Sequence, residues 1–337
     1  MKKTHPRVSQ KKKTGKALSI VLVLLVLLAV AAVIAALYTV QKSAREQDAS
    51  LVTPEDAARR YRPSLSYQGE SYPLKRNMSS MLLIGTDNFS GDRKQHEGLP
   101  YNFNLADFLT VLVFDHKAKT ITPLQICRDT MCEAPLPSGE TERMQITLSH
   151  TYGSGGADSC EYTRQAAEWL LFEAPIDKYL AFTMDTVPLV NDMLGGITVT
   201  LEEDLPDLGP AYVKGATVTL KGMEALRFVR YRDTSLLDDN LRRMAHHRQY
   251  LTAVVDAAQK AAADDDELPL RIFRAAEKFI NTDMSAEELS ALFNDLNEYT
   301  VLPAVTADGS YVMGTEFAEY LVDEASLWDC VHGAFCA

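Results

Sequence analysis

Basic residues are scarce over most of this 337-residue chain: Lys and Arg number 34 against 46 Asp and Glu, a formal charge of −12. Seven of the basic residues (Lys2, Lys3, Arg7, Lys11, Lys12, Lys13 and Lys16) lie in residues 1–16, which hold no acid. The remainder therefore carries 27 basic against 46 acidic residues, or −19. A body that acidic repels phosphate backbones unless it gathers its cations locally, which argues against a nucleic-acid partner. Cysteine is sparse and odd in number: Cys127, Cys132, Cys160, Cys330 and Cys336. At least one thiol is then unpaired within the chain, and no spacing among them matches a zinc site. Cys330 with Cys336 and Cys132 with Cys160 are pairings an oxidising compartment permits; small buried hydrophobes are the alternative for each. Glycine and proline stand at ordinary levels, 17 and 14, and no repeat period is visible. Disorder, collagen-like repeats and coiled coil are excluded on that composition.

What is present in force is one apolar run. Ala17–Val40 contains no charged residue, and at ~1.5 Å per residue it reaches ~36 Å, enough to cross a ~30 Å hydrocarbon core with some tilt. The basic block precedes it directly, so the positive-inside rule leaves the N-terminus cytoplasmic and the rest outside. The run is longer than the apolar core of a cleaved signal peptide, and Leu37, Tyr38 and Val40 make a poor cleavage site. No polar face interrupts it, as a buried soluble helix would require. The expected organisation is a basic cytoplasmic tail (1–16), a transmembrane helix (17–40), an extracellular stalk (41–77) and one extracellular domain (78–337). That places the protein in a cell membrane as a single-pass chain.

Within the domain, Met81-Leu82-Leu83-Ile84 before Gly85 reads as a buried strand. Phe108–Asp115 and Thr120–Ile126 read as a hairpin, and the polar segment 87–104 as a long functional loop. Ser159 is expected to cap a helix through Trp169–Phe172, with Tyr162, Ala166, Trp169 and Leu170 on one face. A strand near Tyr179–Met184, a helix from Thr186 to Gly195-Gly196 and a strand at Ile197–Leu201 follow. Met223–Tyr231 and Asn240–Ala263 read as helices, and Ser285 with Glu288 is a capping-box signature. Asp308-Gly309 predicts a turn between strands at 299–305 and 311–313, ahead of a last helix from Glu316. Strands and helices interleave without an internal linker, which predicts a single three-layer α/β/α domain around a mainly buried mixed sheet.

Three clusters carry chemistry. Asp87 follows the first buried strand and Asp107 opens the next; carboxylates at strand ends suit a hard cation such as Mg²⁺ with phosphate oxygens, a turn role being the alternative for Asp87. Arg128-Asp129-Thr130 ends a β-rich run, either as a surface ion pair or as a rigid phosphate clamp. The third cluster places Arg227, Arg230, Arg232, Arg242, Arg243 and Arg248 within 22 residues, interleaved with Asp233, Asp238 and Asp239 and followed through His246-His247. Six arginines there are the cationic concentration the acidic background otherwise lacks, and they suit a pyrophosphate or phosphodiester; a solvated helix face is the alternative. Arg243 and His247 form an i, i+4 pair, whereas His246 and His247 cannot share a face.

In this order, behind a basic tail and one anchor, the clusters resemble the LytR-CpsA-Psr family of cell-envelope proteins. The matching stretches are Leu83–Asp87, Ala106–Leu109, Ile126–Thr130, Asp192–Val199 and Arg227–Arg232 followed by Asp239 and Arg243. The resemblance implies an α/β/α domain that binds a polyprenyl-pyrophosphate-linked glycopolymer. It also implies a phosphotransferase moving an anionic polymer, such as teichoic acid or capsule, onto a peptidoglycan acceptor. By that analogy Asp87 and Asp107 hold Mg²⁺. Arg128, Arg230, Arg232 and Arg243 neutralise the pyrophosphate with His247 beside them, Asp129 orients an arginine, and a nearby carboxylate serves as general base. The chain departs from the family pattern at Leu105-Ala106, where Arg-Ser is usual, at Cys127 in place of Pro, and at His246-His247 in place of Arg-Gln. Those departures favour, as the alternative, a glycan-lipid-binding or regulatory member with little or no catalysis.

Overall fold

The structure, a computed structural model, describes residues 62–87, 104–233, 235–265, 268–285, 288, 299–315 and 317–337. The tail, the apolar run and most of the stalk expected from the sequence lie outside these residues, as does most of the 87–104 loop. Among the described residues no helix is long and apolar enough to cross a membrane.

Fourteen strands are described: β1 (Ser64–Tyr67), β2 (Glu70–Pro73), β3 (Met78–Thr86), β4 (Ala106–Asp115), β5 (Thr120–Ile126), β6 (Met131–Pro135), β7 (Thr141–Gln145), β8 (Lys178–Thr183), β9 (Ile197–Thr200), β10 (Thr217–Leu220), β11 (Ile280–Thr282), β12 (Thr300–Val301), β13 (Gly309–Met313) and β14 (Ala318–Val322). The helices are α1 (Ala157–Leu170), α2 (Thr186–Met193), α3 (Met223–Arg230), α4 (Asp239–Asp264), α5 (Leu268–Ala276) and α6 (Glu324–Phe335). Six strands build the central sheet in the order β11-β8-β3-β4-β5-β12. β3 runs parallel to β8 and antiparallel to β4, so the sheet is mixed.

β3 reads as an unbroken apolar run because both its faces are covered. Met81 and Leu83 point into a core shared with α2, α3, α4 and α5. Leu82 and Ile84 point into a second core shared with α1 and α6. Phe114 and Phe228 are fully buried on the first side, Phe335 on the second. The three-layer arrangement predicted from the alternation of elements is therefore observed.

The β4–β5 hairpin matches its expected limits, its turn held by Asp115 Oδ1, which accepts from the backbone N–H of Lys117 and Ala118. α2 stops at Gly195-Gly196 as expected; both have positive φ, and a Cβ on Gly196 would meet the Leu220 carbonyl at 3.0 Å. Ser285 and Glu288 form the reciprocal bonds of a capping box.

Five expectations are corrected. The folded body reaches back into the expected stalk: β1 and β2 form a hairpin whose turn, Gln68-Gly69, has positive φ at both residues. Tyr67 on that hairpin stacks on Trp328 of α6 with ring centroids 4.6 Å apart. α1 begins two residues before Ser159, whose hydroxyl accepts from Gly155 N–H inside the first turn. Its inner face is Cys160, Thr163, Ala166 and Ala167, while Tyr162, Trp169 and Leu170 are half-buried. Asp308-Gly309 is not the hairpin turn; Gly309 opens β13, which pairs with β14, and β12 joins the central sheet beside β5. Ala318–Val322, expected inside the last helix, is strand, and α6 begins at Glu324 behind Asp323, whose carboxylate accepts from Ser326 N–H. All five cysteines are free thiols, four of them buried, so the pairings weighed from the sequence are not formed.

Candidate active site

The predicted residues converge at one end of the sheet. The β4–β5 register pairs Leu109 with Ile126, and continuing it past the end of β5 sets Asp107 opposite Arg128. Arg128 Nη1 forms an ion pair with Asp107 Oδ1, and its Nε donates to Asp129 Oδ1 at 3.2 Å. Arg243, one turn into α4, reaches the same carboxylate: Nη1 lies 3.8 Å from Asp107 Oδ2, and Nη2 donates to the Asp107 carbonyl at 3.4 Å. Asp107 therefore stands between two guanidinium groups that are 15 % and 4 % exposed.

Burial, then the neighbouring charge of Arg243, pushes Arg128 down to about 10. Burial, then Arg232, pushes Arg243 down to about 10. Both remain charged near neutral pH, and their mutual repulsion is relieved when an anion enters between them. Arg232 is tethered by Asp239, Nε to Oδ2 at 2.8 Å, and Asp239 Oδ1 accepts from the Asp233 backbone N–H at 2.6 Å. A carboxylate at the start of α4 thus clamps the segment that brings Arg232 to the cluster.

Asp87 follows β3 directly, and Thr86 pairs with Ala106 after a register shift at Gly85. The two acids, Asp87 and Asp107, consequently end neighbouring strands on the same sheet edge. Among the described residues no three His, Cys, Asp or Glu gather into a metal-binding group. Carboxylate oxygens are the donor type Mg²⁺ takes, and Asp87 and Asp107 are the residues here that would supply them.

Beside the charges opens an apolar cleft with about 740 Å³ of empty space, its mouth included. It is walled by Phe108, Phe182, Val187, Val229, Tyr250 and Val254, among others. Gly85 also faces it; a Cβ there would meet Phe108 Cβ at 2.8 Å, so a side chain at this position would crowd the strand pair. Thr86 and Phe108, each adjacent in sequence to one of the two carboxylates, line the same space.

Two expected phosphate ligands, Arg230 and His247, form no hydrogen bond or ion pair with Asp107, Arg128 or Arg243 among the described residues. Arg230, the last residue of α3, is exposed and has no ion-pair partner among the described residues. His247 turns into the cleft wall: Nε2 lies 2.9 Å from the Val229 carbonyl, which can only accept, so Nε2 carries the proton. Its ring packs against Phe108 at 5.5 Å. Burial pushes it down to about 3, leaving a neutral imidazole whose free Nδ1 has no proton to give an anion. Three partners escaped the sequence reading: Tyr311 OH donates to Asp129 Oδ2 at 2.9 Å, Gln145 Nε2 to Asp129 Oδ1 at 3.4 Å, and Asn240 Oδ1 accepts from Arg243 Nη2 at 2.7 Å. Asn240 stands three residues before Arg243 on the same helix, a spacing legible in the sequence; nothing local marked the other two.

The description LytR_cpsA_psr family matches residues 35–326 of the chain. The chain belongs to that family. A Bacillus licheniformis relative named polyisoprenyl-teichoic acid–peptidoglycan teichoic acid transferase TagU is 25 % identical over 253 residues, 74 % of each protein. The crystal structure of Bacillus subtilis TagV superposes with a TM-score of 0.57 at 22 % identity, over 77 % of this chain and 96 % of that one. A structure described as TagT bound to LI-WTA gives 0.58 at 20 % identity, over 81 % and 95 %. At those identities the solved structures speak for the fold.

His150, His246 and His247 are held in the structure with depressed proton affinity, so they are acid-sensitive. His246 Nε2 pairs with Glu203 at 2.8 Å. His150, buried under Asn104, is pushed down to about 4 by desolvation. Between the unfolded value of ~6.5 and these depressed values the unfolded chain binds more protons than the folded one. Stability is therefore expected to be flat in these groups above pH ~6.5 and to fall as pH drops toward 4. His150 and His247 contribute on the order of 3 kcal/mol each across that span. Thermal melts of wild type and His150→Gln between pH 7 and 4 check this; an equal slope in the variant would contradict it.

Proposed function

We propose that the protein is a membrane-anchored cell-wall transferase that moves an anionic glycopolymer from a polyprenyl-pyrophosphate carrier onto peptidoglycan. The observation that carries this reading is two guanidinium groups, one buried and one nearly so, meeting at Asp107 beside an apolar cleft. A pyrophosphate between Arg128 and Arg243 leaves the cleft free for the isoprenoid tail. The relatives named as teichoic acid transferases support the polymer class, and the basic tail and apolar run 1–40 support an extracellular domain tethered near the lipid.

In the proposed step a sugar hydroxyl of the acceptor attacks the phosphorus that carries the glycan. A new phosphodiester bond forms, the phosphoanhydride bond breaks, and polyprenyl monophosphate leaves with the anhydride electrons. The hydroxyl proton passes to a carboxylate of the site. Arg128 and Arg243 hold the non-bridging oxygens, whose charge rises as the bond cleaves. Asp87 and Asp107 would hold Mg²⁺, which when bound adds charge neutralisation at the same oxygens.

The test is incubation of the full chain in detergent with a polyprenyl-pyrophosphate disaccharide and peptidoglycan fragments, with and without Mg²⁺. Cleavage that requires Mg²⁺ and disappears in Asp107→Ala is the expected result. Tight binding without cleavage would assign a binding or regulatory role, the reading that Leu105 in place of an arginine favours. Neither binding nor cleavage would contradict both readings.

A further inference from the structure

The two central arginines are joined twice. Asp107 bridges them on one side. On the other, a chain of hydrogen bonds runs through groups that belong to neither phosphate nor metal chemistry. Arg243 Nε and Nη2 donate to Asn240 Oδ1 at 3.1 and 2.7 Å. Asn240 Nδ2 donates to Cys127 Sγ at 3.2 Å. Cys127 Sγ lies 3.2 Å from Tyr311 OH. Tyr311 OH donates to Asp129 Oδ2 at 2.9 Å, and Asp129 Oδ1 accepts from Arg128 Nε.

The direction of every proton in this chain is fixed by its ends. Guanidinium groups only donate and carboxylates only accept. The Asn240 amide, taking Arg243 on its oxygen, must give its N–H to sulfur. Tyr311, giving its single proton to Asp129, must take the Cys127 S–H on its oxygen. A protonated thiol is required at the midpoint, and burial raises the Cys127 thiol above its ordinary value. Burial likewise keeps the Tyr311 phenol protonated. Asn240, Cys127 and Tyr311 each accept one bond and donate one, in a single sense along the chain.

We infer that Asn240, Cys127 and Tyr311 are positioning residues that set the spacing and orientation of Arg128 and Arg243 for a diphosphate. Tyr311 comes from β13, 182 residues beyond Asp129. It is delivered by a hairpin pinned to the site at Thr130–Tyr320 and by Tyr320 N–H to the Asp129 carbonyl at 2.9 Å. The C-terminal hairpin is then a component of the site, and Cys127 is a working link rather than a tolerated substitution. This inference rests on the proposed diphosphate site.

The experiment titrates inorganic pyrophosphate and farnesyl pyrophosphate into the full chain by calorimetry, for wild type, Tyr311→Phe, Cys127→Ser, Cys127→Ala and the outer-face control Val312→Ala. Losing the hydrogen bond to the Asp129 carboxylate predicts weakening by about tenfold in Tyr311→Phe, and losing the neutral bonds to Asn240 and Tyr311 predicts weakening by about fivefold in Cys127→Ala. Ser keeps both donor and acceptor, so Cys127→Ser is expected to retain wild-type affinity. Tyr311→Phe combined with Asn240→Ala should weaken binding by less than the product of the single effects, because one interrupted chain cannot be broken twice. Melting temperatures separate folding from positioning, and should one variant fail to fold, the Ser–Ala comparison at Cys127 still decides. Wild-type binding with equal affinities in Tyr311→Phe and Cys127→Ala would overturn the relay while leaving the proposed function intact. No wild-type binding of either probe would overturn both.

Discussion

Arg128→Ala is expected to weaken binding of a polyprenyl pyrophosphate by at least about a hundredfold, and to abolish its cleavage. Arg128 is nearly buried, and its guanidinium is committed to Asp107 and Asp129 rather than to water. Truncating one partner of a desolvated charge pair costs ~2–5 kcal/mol, and each 1.4 kcal/mol is about tenfold in affinity. The loss exceeds that of one anion contact, because Asp107 and Asp129 would then face the incoming phosphates with less cation to offset them. Arg242→Ala provides the contrast. That arginine pairs with Glu203 and Asp233 and is a third exposed, so its removal should change diphosphate affinity by less than about threefold. Equal effects at the two positions would show that binding depends on diffuse charge rather than on this pair. Isothermal titration with farnesyl pyrophosphate at fixed ionic strength distinguishes the two outcomes.

The second large effect concerns stability. Asp107→Asn leaves Arg128 and Arg243 facing one another without the carboxylate between them. Breaking a buried pair by removing one partner costs ~3–5 kcal/mol. For a domain of this size that corresponds to a drop in melting temperature on the order of 10 °C. A diphosphate can replace the missing charge, so the variant should recover more on addition of pyrophosphate than wild type gains. Ligand at about a hundred times its dissociation constant stabilises by ~2.7 kcal/mol, enough to restore much of the loss. An unchanged melting temperature in Asp107→Asn would mean that the two guanidinium groups do not depend on this carboxylate. A variant that falls but does not respond to pyrophosphate would place the anion elsewhere.

Much of this site was legible because strand ends are. Asp87, Asp107 and Arg128 each stand at the edge of an apolar run, and a hairpin register alone sets Asp107 against Arg128. Arg243 followed from the concentration of arginines in an acidic chain. What escaped was tertiary. Arg230 and Arg232 are two residues apart and both exposed, yet the chain leaves α3 between them, so Arg232 reaches Asp239 while Arg230 has no ion-pair partner among the described residues. His247 sits four residues from Arg243 on the expected face, but the Val229 carbonyl captured its proton. Tyr311 was missed although its strand was expected, because its partner Asp129 lies 182 residues away in the chain and nothing local to either marks the pairing. The Ser159 cap failed for a local reason: Asp158 and Ser154 already organise the turn ahead of it, so the helix starts sooner.

A co-crystal structure of the full chain with a short-chain polyprenyl pyrophosphate sugar and Mg²⁺ addresses the central claim directly. The account predicts phosphate oxygens within hydrogen-bond distance of both Arg128 and Arg243, and the isoprenoid lying along Phe108, Val187 and Val254. A diphosphate bound away from Asp107, or an isoprenoid outside that cleft, would contradict it.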